Sequence, residues 1–206
     1  MEILVTVVIP VYNQEVLLTK ALDSIPDRPD IEVIIVDDAS TDNSYTIACN
    51  YQNLVKNLQV TCLKNTENHG VAYTRNRAYS LARGKYILNL DSDDYIYTAE
   101  FNEVLPILIN YNYDIVYFNL KQNDNTILKL TPETKSLWCG TVKFVLREFL
   151  SDLRHPEDVR FGEDWFLNQE LLAKNPIEFY TDKILIHYNS PRLGSLCDLV
   201  SKSQIW

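Results

Sequence analysis

Apolar residues in the first half of the chain follow two rhythms. Short runs rich in Val, Ile and Leu, at residues 4–9, 31–36, 58–63 and 86–90, have the length and composition of buried strands. Between them, Val16, Leu17, Ala21, Leu22 and Ile25 recur at helical spacing within 14–25, a second helix runs from a cap at Ser40 or Thr41 to about Leu54, and a third spans 71–82. Pro26 and Pro29 end the first helix and Gly84 follows the third. Strand and helix alternating in this way predict a mainly parallel sheet with right-handed crossovers, flanked by helices.

The second half is less regular. Its pattern predicts a helix over 99–110, a strand over 114–120, a hairpin turn at Asn123-Asp124-Asn125, helices over 141–150 and 163–174, and short strands at 177–180 and 184–188. With 206 residues, 46% of them hydrophobic, the chain can bury one sizeable core, so a single domain over 1–206 is expected.

The strand at 86–90 stops at three carboxylates, Asp91, Asp93 and Asp94, with Ser92 between the first two. Open α/β sheets bind ligands at the carboxyl ends of their strands, and oxygen donors at this spacing suit Mg²⁺ or Mn²⁺. The same residues also make a good turn and helix cap. Asp37 and Asp38 end the second strand in a similar way.

A net charge of −9 argues against nucleic acid or an anionic membrane surface as a partner. An anionic ligand would need a bound divalent cation or local Lys and Arg at such a surface. The four cysteines, 49, 62, 139 and 197, form no C-x-x-C pair and read as reduced packing residues of a cytoplasmic protein. No secretory signal opens the sequence, and no apolar run approaches the roughly 18 residues of a membrane-spanning helix. Peripheral association with a membrane stays open. Neither G-x-G-x-x-G nor G-x-x-x-x-G-K-[ST] occurs.

Five segments in order, VVIPVYNQE (7–15), VIIVDDASTD (33–42), NHGVAYTRNRA (68–78), ARGKYILNLDSDD (82–94) and FGEDWFL (161–167), resemble the family 2 inverting glycosyltransferases of the GT-A fold. The resemblance implies a Rossmann-like α/β domain, with a nucleotide-sugar-binding half over 1–97 and an acceptor-side half over 98–206. It places Pro10, Tyr12, Asn13, Glu15, Asp38, Arg75, Asp91 and Ser92 at the donor nucleotide, and Asp91 and Asp93 on Mn²⁺ or Mg²⁺. His187 matches a downstream histidine that completes the metal shell in some relatives, Arg192 lies in a loop over 190–196 that could close on the donor, and Asp164 matches the catalytic base. A carboxylate at Asp38 can accept the N3 hydrogen of uracil, which favours a UDP-sugar. Trp165 is a stacking surface for sugar or a core residue.

The implied activity is metal-dependent inverting transfer of a sugar from a nucleotide diphosphate to a hydroxyl of a carbohydrate or glycolipid acceptor, in surface polysaccharide or glycoconjugate assembly. The processive synthases' Q-x-x-R-W motif and membrane helices are absent from the sequence. A non-catalytic nucleotide- or sugar-binding module on the same fold is the alternative. A nucleotidyltransferase would want a Gly-rich basic loop after the first strand, where this chain has Val11-Tyr12-Asn13.

Overall fold

The computed structural model describes residues 2–134, 140–159 and 162–190. In chain order these form β1 (Val5–Val11), α1 (Leu18–Asp23), β2 (Ile31–Asp37), α2 (Ser44–Tyr51), β3 (Gln59–Lys64), α3 (Val71–Tyr79), β4 (Tyr86–Asn89), β5 (Tyr95–Ile96), α4 (Thr98–Asn110), β6 (Ile115–Gln122), β7 (Ile127–Leu128), β8 (Lys143–Leu146), α5 (Arg147–Leu150), α6 (Glu163–Ala173) and β9 (Glu178–Tyr188). The strands make one nine-stranded sheet in the order β3-β2-β1-β4-β8-β6-β9-β5, with β7 on β6. β3, β2, β1 and β4 are mutually parallel, so Val11, Asp37, Lys64 and Asn89 all end at one edge. Helices on both faces explain why β1 and β2 are buried along nearly their whole length, with Val and Ile on both sides.

Buried polar groups meet within that apolar core. Glu32 in β2 is buried, and its carboxylate accepts the Thr6 hydroxyl at 2.6 Å, the Arg83 backbone N–H at 2.6 Å and the Arg83 guanidinium at 2.9 and 2.6 Å. Gly84 also donates its N–H to Thr6 Oγ1 at 2.9 Å, drawing the start of β4 against β1. A Cβ on Gly84 would stand 2.7 Å from Thr6 Oγ1 and 2.8 Å from the carbonyl carbon of Val5, so only glycine fits.

Three expectations need correction. Residues 141–150 are not a helix: Lys143–Leu146 is a strand hydrogen-bonded to β4 on one side and β6 on the other, followed by the single turn α5. Phe144 and Val145 satisfy either period, and pairing on both sides decides for the strand. The two late strands are one, β9, parallel to β6 with register shifts near Asn119 that absorb the polar residues between them. The first helix begins at Leu18 rather than residue 14, because the N–H groups of Asn13 and Gln14 are taken by Ser40 and Ser44, and residues 14–17 form a turn closed on the Gln14 carbonyl. The other predicted helices and strands form, with ends shifted by a few residues.

Antiparallel pairing of β5 with β9, and an Asn189 N–H donated to Asp94 Oδ1 at 2.8 Å, bring the end of β9 beside the carboxylate loop after β4. Cys49 and Cys62, on α2 and β3, have their sulfurs 3.1 Å apart as free thiols. Cys139, Cys197, Phe161 and the 191–196 part of the proposed closing loop, with Arg192, lie outside the described residues. Among the described residues no helix is long and apolar enough to cross a membrane.

Replacing Gly84 by Ala forces β4 away from β1. We expect a loss of about 3 kcal/mol, the upper part of the range for overpacked cores, read as a lower urea midpoint; an unchanged midpoint would show that the Thr6 contact is not tight.

Candidate functional site

The loop leaving β1 and the loop leaving β2 are joined by reciprocal hydrogen bonds. Asn13, in the left-handed region at φ 52°, donates its N–H to Ser40 Oγ at 2.9 Å and accepts the Thr41 N–H at 2.9 Å on its side-chain oxygen. Gln14 N–H reaches Ser44 Oγ at 2.7 Å, and Glu15 Oε2 accepts the Asn43 N–H at 3.0 Å. Thus Asn13 and Glu15, expected at the nucleotide, shape the rim of that edge. Tyr12 stands out from it with 48% of its surface exposed, while Pro10 is half-buried inside β1. Asp38 is buried and accepts three bonds: Asn65 Nδ2 at 2.7 Å, the His69 N–H at 3.0 Å and the Gly70 N–H at 2.8 Å. Gly70, at φ 89°, opens α3, so Asp38 fixes where that helix begins.

That placement matters because α3 carries Arg75. Only 3% exposed, its guanidinium donates from Nη2 to Asp91 Oδ1 at 2.8 Å, and from Nη1 to Glu163 Oε1 at 2.9 Å and Asp164 Oδ1 at 2.8 Å. Burial opposes the charge, but the carboxylates of Asp164, Asp91 and Glu163 outweigh it and hold the guanidinium pKa above its ordinary value. One side chain therefore joins the carboxylate loop after β4 to the start of α6, 88 and 89 residues further along the chain.

The two acids of α6 sit differently. Gly162, left-handed at φ 79°, turns the chain into the helix. The side chain of Glu163 is 12% exposed and that of Asp164 is 22% exposed. Burial, then the neighbouring Asp164, raise the Glu163 pKa against the opposing pull of Arg75. Asp164 has Oδ1 on Arg75, while Oδ2 packs so close to Gly140 that a Cβ there would come within 2.9 Å of it, leaving room for no larger residue. Trp165 and Phe166 follow as an exposed edge-to-face pair, centroids 5.1 Å apart, so Trp165 is not core.

His155 completes the cluster, and no sequence signal marked it. It is buried, with Nδ1 3.5 Å from Asp164 Oδ1 and Nε2 3.1 Å from the Tyr79 hydroxyl. Burial and the adjacent Arg75 lower its pKa to about 4 despite Asp164, so the ring is neutral. The partners that locate it, Asn76 and Tyr79, are on α3 and more than seventy residues away in sequence.

On the metal side, Asp91 is one-third exposed and uses one oxygen for Arg75, Asp93 is half-buried, and Ser92 and Asp94 are buried. The ring of His187 stacks on Tyr95 with centroids 4.4 Å apart, Nδ1 lies 3.1 Å from the Tyr97 hydroxyl and Nε2 2.9 Å from Asn123 Oδ1. Both ring nitrogens are thus engaged in this arrangement, and burial with Lys20 and Lys121 nearby lowers the His187 pKa. No group of three or more His, Cys, Asp or Glu placed to hold a metal occurs among the described residues. Asp91 and Asp93 still fit Mg²⁺ or Mn²⁺, since such ions are commonly held by one or two carboxylates together with substrate phosphates.

A parallel half-sheet whose carboxyl edge gathers an exposed ring, a buried arginine and two carboxylate groups is the layout of a nucleotide-sugar-transferase domain of the GT-A fold. A family model described as glycosyl transferase family 2 matches residues 6–166, and the chain belongs to that family. It is 28% identical over 208 residues to the poly(ribitol-phosphate) beta-N-acetylglucosaminyltransferase TarS of Staphylococcus aureus, covering 92% of this chain and 36% of that one. The chain therefore spans about a third of the length of this curated relative. The structure of S. aureus TarS in complex with UDP-GlcNAc superposes with a TM-score of 0.81 at 24% identity, over 94% of this chain and 60% of that one. The mannosyltransferase PcManGT of Pyrobaculum calidifontis, solved with GDP-Man and Mn²⁺, gives 0.78 at 21% identity over 99% and 62%.

Removing Arg75 leaves three carboxylates without their shared cation. We expect Arg75→Met to lose about 3–5 kcal/mol in urea unfolding, as for other broken buried ion pairs; a loss under about 1 kcal/mol, the range of exposed pairs, would contradict a buried hub. For His155 the folded pKa lies below its unfolded value, so its contribution is present above pH 6.5 and is lost as pH falls toward 4. Its imidazole should show no titration in NMR between about pH 5.5 and 8, unlike an ordinary histidine.

Proposed function

We propose that the chain is the catalytic domain of a metal-dependent inverting glycosyltransferase. The observation that carries this reading is the Arg75 cluster, which holds the metal-side carboxylate Asp91 and the base-side pair Glu163 and Asp164 on one guanidinium. A sugar nucleotide across the ends of β1, β2 and β4 meets Tyr12 at the base and the 91–94 loop at the diphosphate. UDP is the favoured nucleotide. Asp38 has used three of about four carboxylate acceptor positions on the 65–70 segment and keeps one for the N3 hydrogen of uracil, and TarS has been solved with UDP-GlcNAc.

Charge balance supports the cation. A single guanidinium faces three carboxylates, with Asp93 and Asp94 beside them, and a diphosphate approaching that surface meets excess negative charge. A Mg²⁺ or Mn²⁺ held by Asp91 and Asp93 would neutralise the departing diphosphate.

Asp164 rather than Glu163 is the base, being the more exposed and holding Arg75 through Oδ1. It takes the proton of the acceptor hydroxyl as the hydroxyl oxygen bonds to the anomeric carbon on the face opposite the nucleoside diphosphate, whose bond to that carbon breaks. Trp165 offers an aromatic face to the acceptor. A carbohydrate acceptor of a surface polymer or glycoconjugate agrees with the poly(ribitol-phosphate) named for TarS.

Calorimetric titration with UDP, GDP, dTDP and CMP, each with and without Mn²⁺, tests the donor half. UDP should bind only with the metal, and Asp93→Ala should abolish that dependence. Asp164→Asn should keep nucleotide affinity within about twofold while losing at least 10²-fold in transfer, the usual contribution of a general base. Nucleotide binding that persists with no turnover of any sugar nucleotide by the unmodified chain would favour the non-catalytic module.

A further inference from the structure

Three residues of helix α3 bear on the surroundings of one carboxylate, one directly and two through His155. Arg75 holds Asp164 Oδ1 directly. Asn76 clamps the backbone of His155 from both sides, donating Nδ2–H to its carbonyl at 2.8 Å and accepting its N–H at 2.9 Å. Tyr79, one turn on from Arg75 and so on the same helix face, meets the His155 ring. The hydroxyl of Tyr79 is in turn 2.7 Å from Asn89 Nδ2 on β4. Nothing in the family motifs or in the proposed chemistry above gives His155 or Tyr79 a task.

The hydrogen-bond order assigns one. Asn89 donates Nδ2–H to Tyr79 Oη at 2.7 Å, and the phenol hydrogen then has two acceptors at 3.1 Å, Asn89 Oδ1 and His155 Nε2; donated to the ring, it makes Nε2 an acceptor. A neutral imidazole accepting at Nε2 carries its one hydrogen on Nδ1. Nδ1 makes no hydrogen bond among the described residues, and the acid oxygen facing it is Asp164 Oδ1, 3.5 Å away. His155, Tyr79, Asn89, Lys143, Asp164 and Asn168 line the same small cavity.

We propose that His155, oriented by Tyr79 and Asn76, is a positioning residue for Asp164: its Nδ1–H and the Arg75 guanidinium together fix Oδ1, so that Oδ2 is turned to the acceptor hydroxyl. A neutral second donor suits this task, since it orients the carboxylate without adding a second positive charge that would weaken it as a base. During transfer the proton from the acceptor arrives at Oδ2, and the two donors stay on Oδ1. This inference rests on Asp164 being the base.

The experiment combines a direct and a functional readout. In ¹⁵N NMR of the whole chain, His155 should show a protonated Nδ1 and a bare Nε2, and Tyr79→Phe should shift the population toward the other tautomer. A protonated Nε2 in the unmodified protein overturns the proposal whether or not an acceptor is known. For function, UDP release from UDP-N-acetylglucosamine and UDP-glucose is measured for His155→Gln, His155→Asn, Tyr79→Phe and Asp164→Asn. His155→Gln, which loses the Nδ1 donor, should lower kcat about 10- to 100-fold, as for outer-shell partners generally, with KM and UDP affinity unchanged. His155→Asn places an amide N–H near the Nδ1 position and should recover much of that loss, with Tyr79→Phe between the two. An inactive Asp164→Asn beside a fully active His155→Gln would sink the positioning role alone, whereas an active Asp164→Asn would sink the base assignment and this inference with it. Equal losses in His155→Gln and His155→Asn, accompanied by equal falls in melting temperature, would mean a structural role only.

Discussion

A guanidinium buried among three carboxylates is expensive to assemble and costly to break, and the rest of this domain is arranged so that Arg75 has no other place to be. Asp38 fixes the first turn of α3 through the N–H groups of His69 and Gly70. Below it, Arg77 ties the same helix to β3 through the Lys64 carbonyl at 2.9 Å. With the helix pinned at its start and along its flank, the guanidinium projects over the end of β4, where Asp91 emerges. Its second nitrogen is then left for whatever the other half of the chain delivers, and that half delivers Glu163 and Asp164.

Delivery depends on the mixed side of the sheet. The run of parallel strands ends at β4, and β8 then lies antiparallel between β4 and β6, so the chain after β6 crosses back beside the parallel half of the sheet. Residues 147–159 and α6 follow from that return, which places His155 under α3 and Asp164 against Arg75. On the far side, β9 pairs with both β6 and β5, and its end bonds to Asp94. The carboxylate loop is thus gripped by the two late elements of the fold, one through an arginine and one through a backbone N–H.

Burial divides the acids by task. Glu163 is taken deeper and its pKa rises, Asp94 is buried under the end of β9, and Asp91 and Asp164 remain reachable at either side of Arg75. Asp91 and Asp164 each keep one oxygen on Arg75, whereas the sequestered acids hold the frame. Arg75 thus faces three carboxylates at this edge, with Asp93 and Asp94 beside them.

The four parallel strands, their crossover helices and the carboxylates at the strand ends were fixed by sequence alone, because each depends on local period, on proline and glycine punctuation, and on the alternation that only a parallel sheet satisfies. The family resemblance followed from five short segments, and the family match confirms it over residues 6–166. What local pattern could not decide was anything set by a distant partner. Phe144 and Val145 became a strand because two neighbours had open edges for it. Asn13 and Glu15 went to the rim because the loop after β2 needed acceptors for its N–H groups. His187 met Tyr97 and Asn123, and His155, which carries no motif, became part of the site because Asn76 and Tyr79 hold it beneath Asp164. A titratable side chain acquires its role from the charges and burial around it, and those are fixed only when the chain has folded.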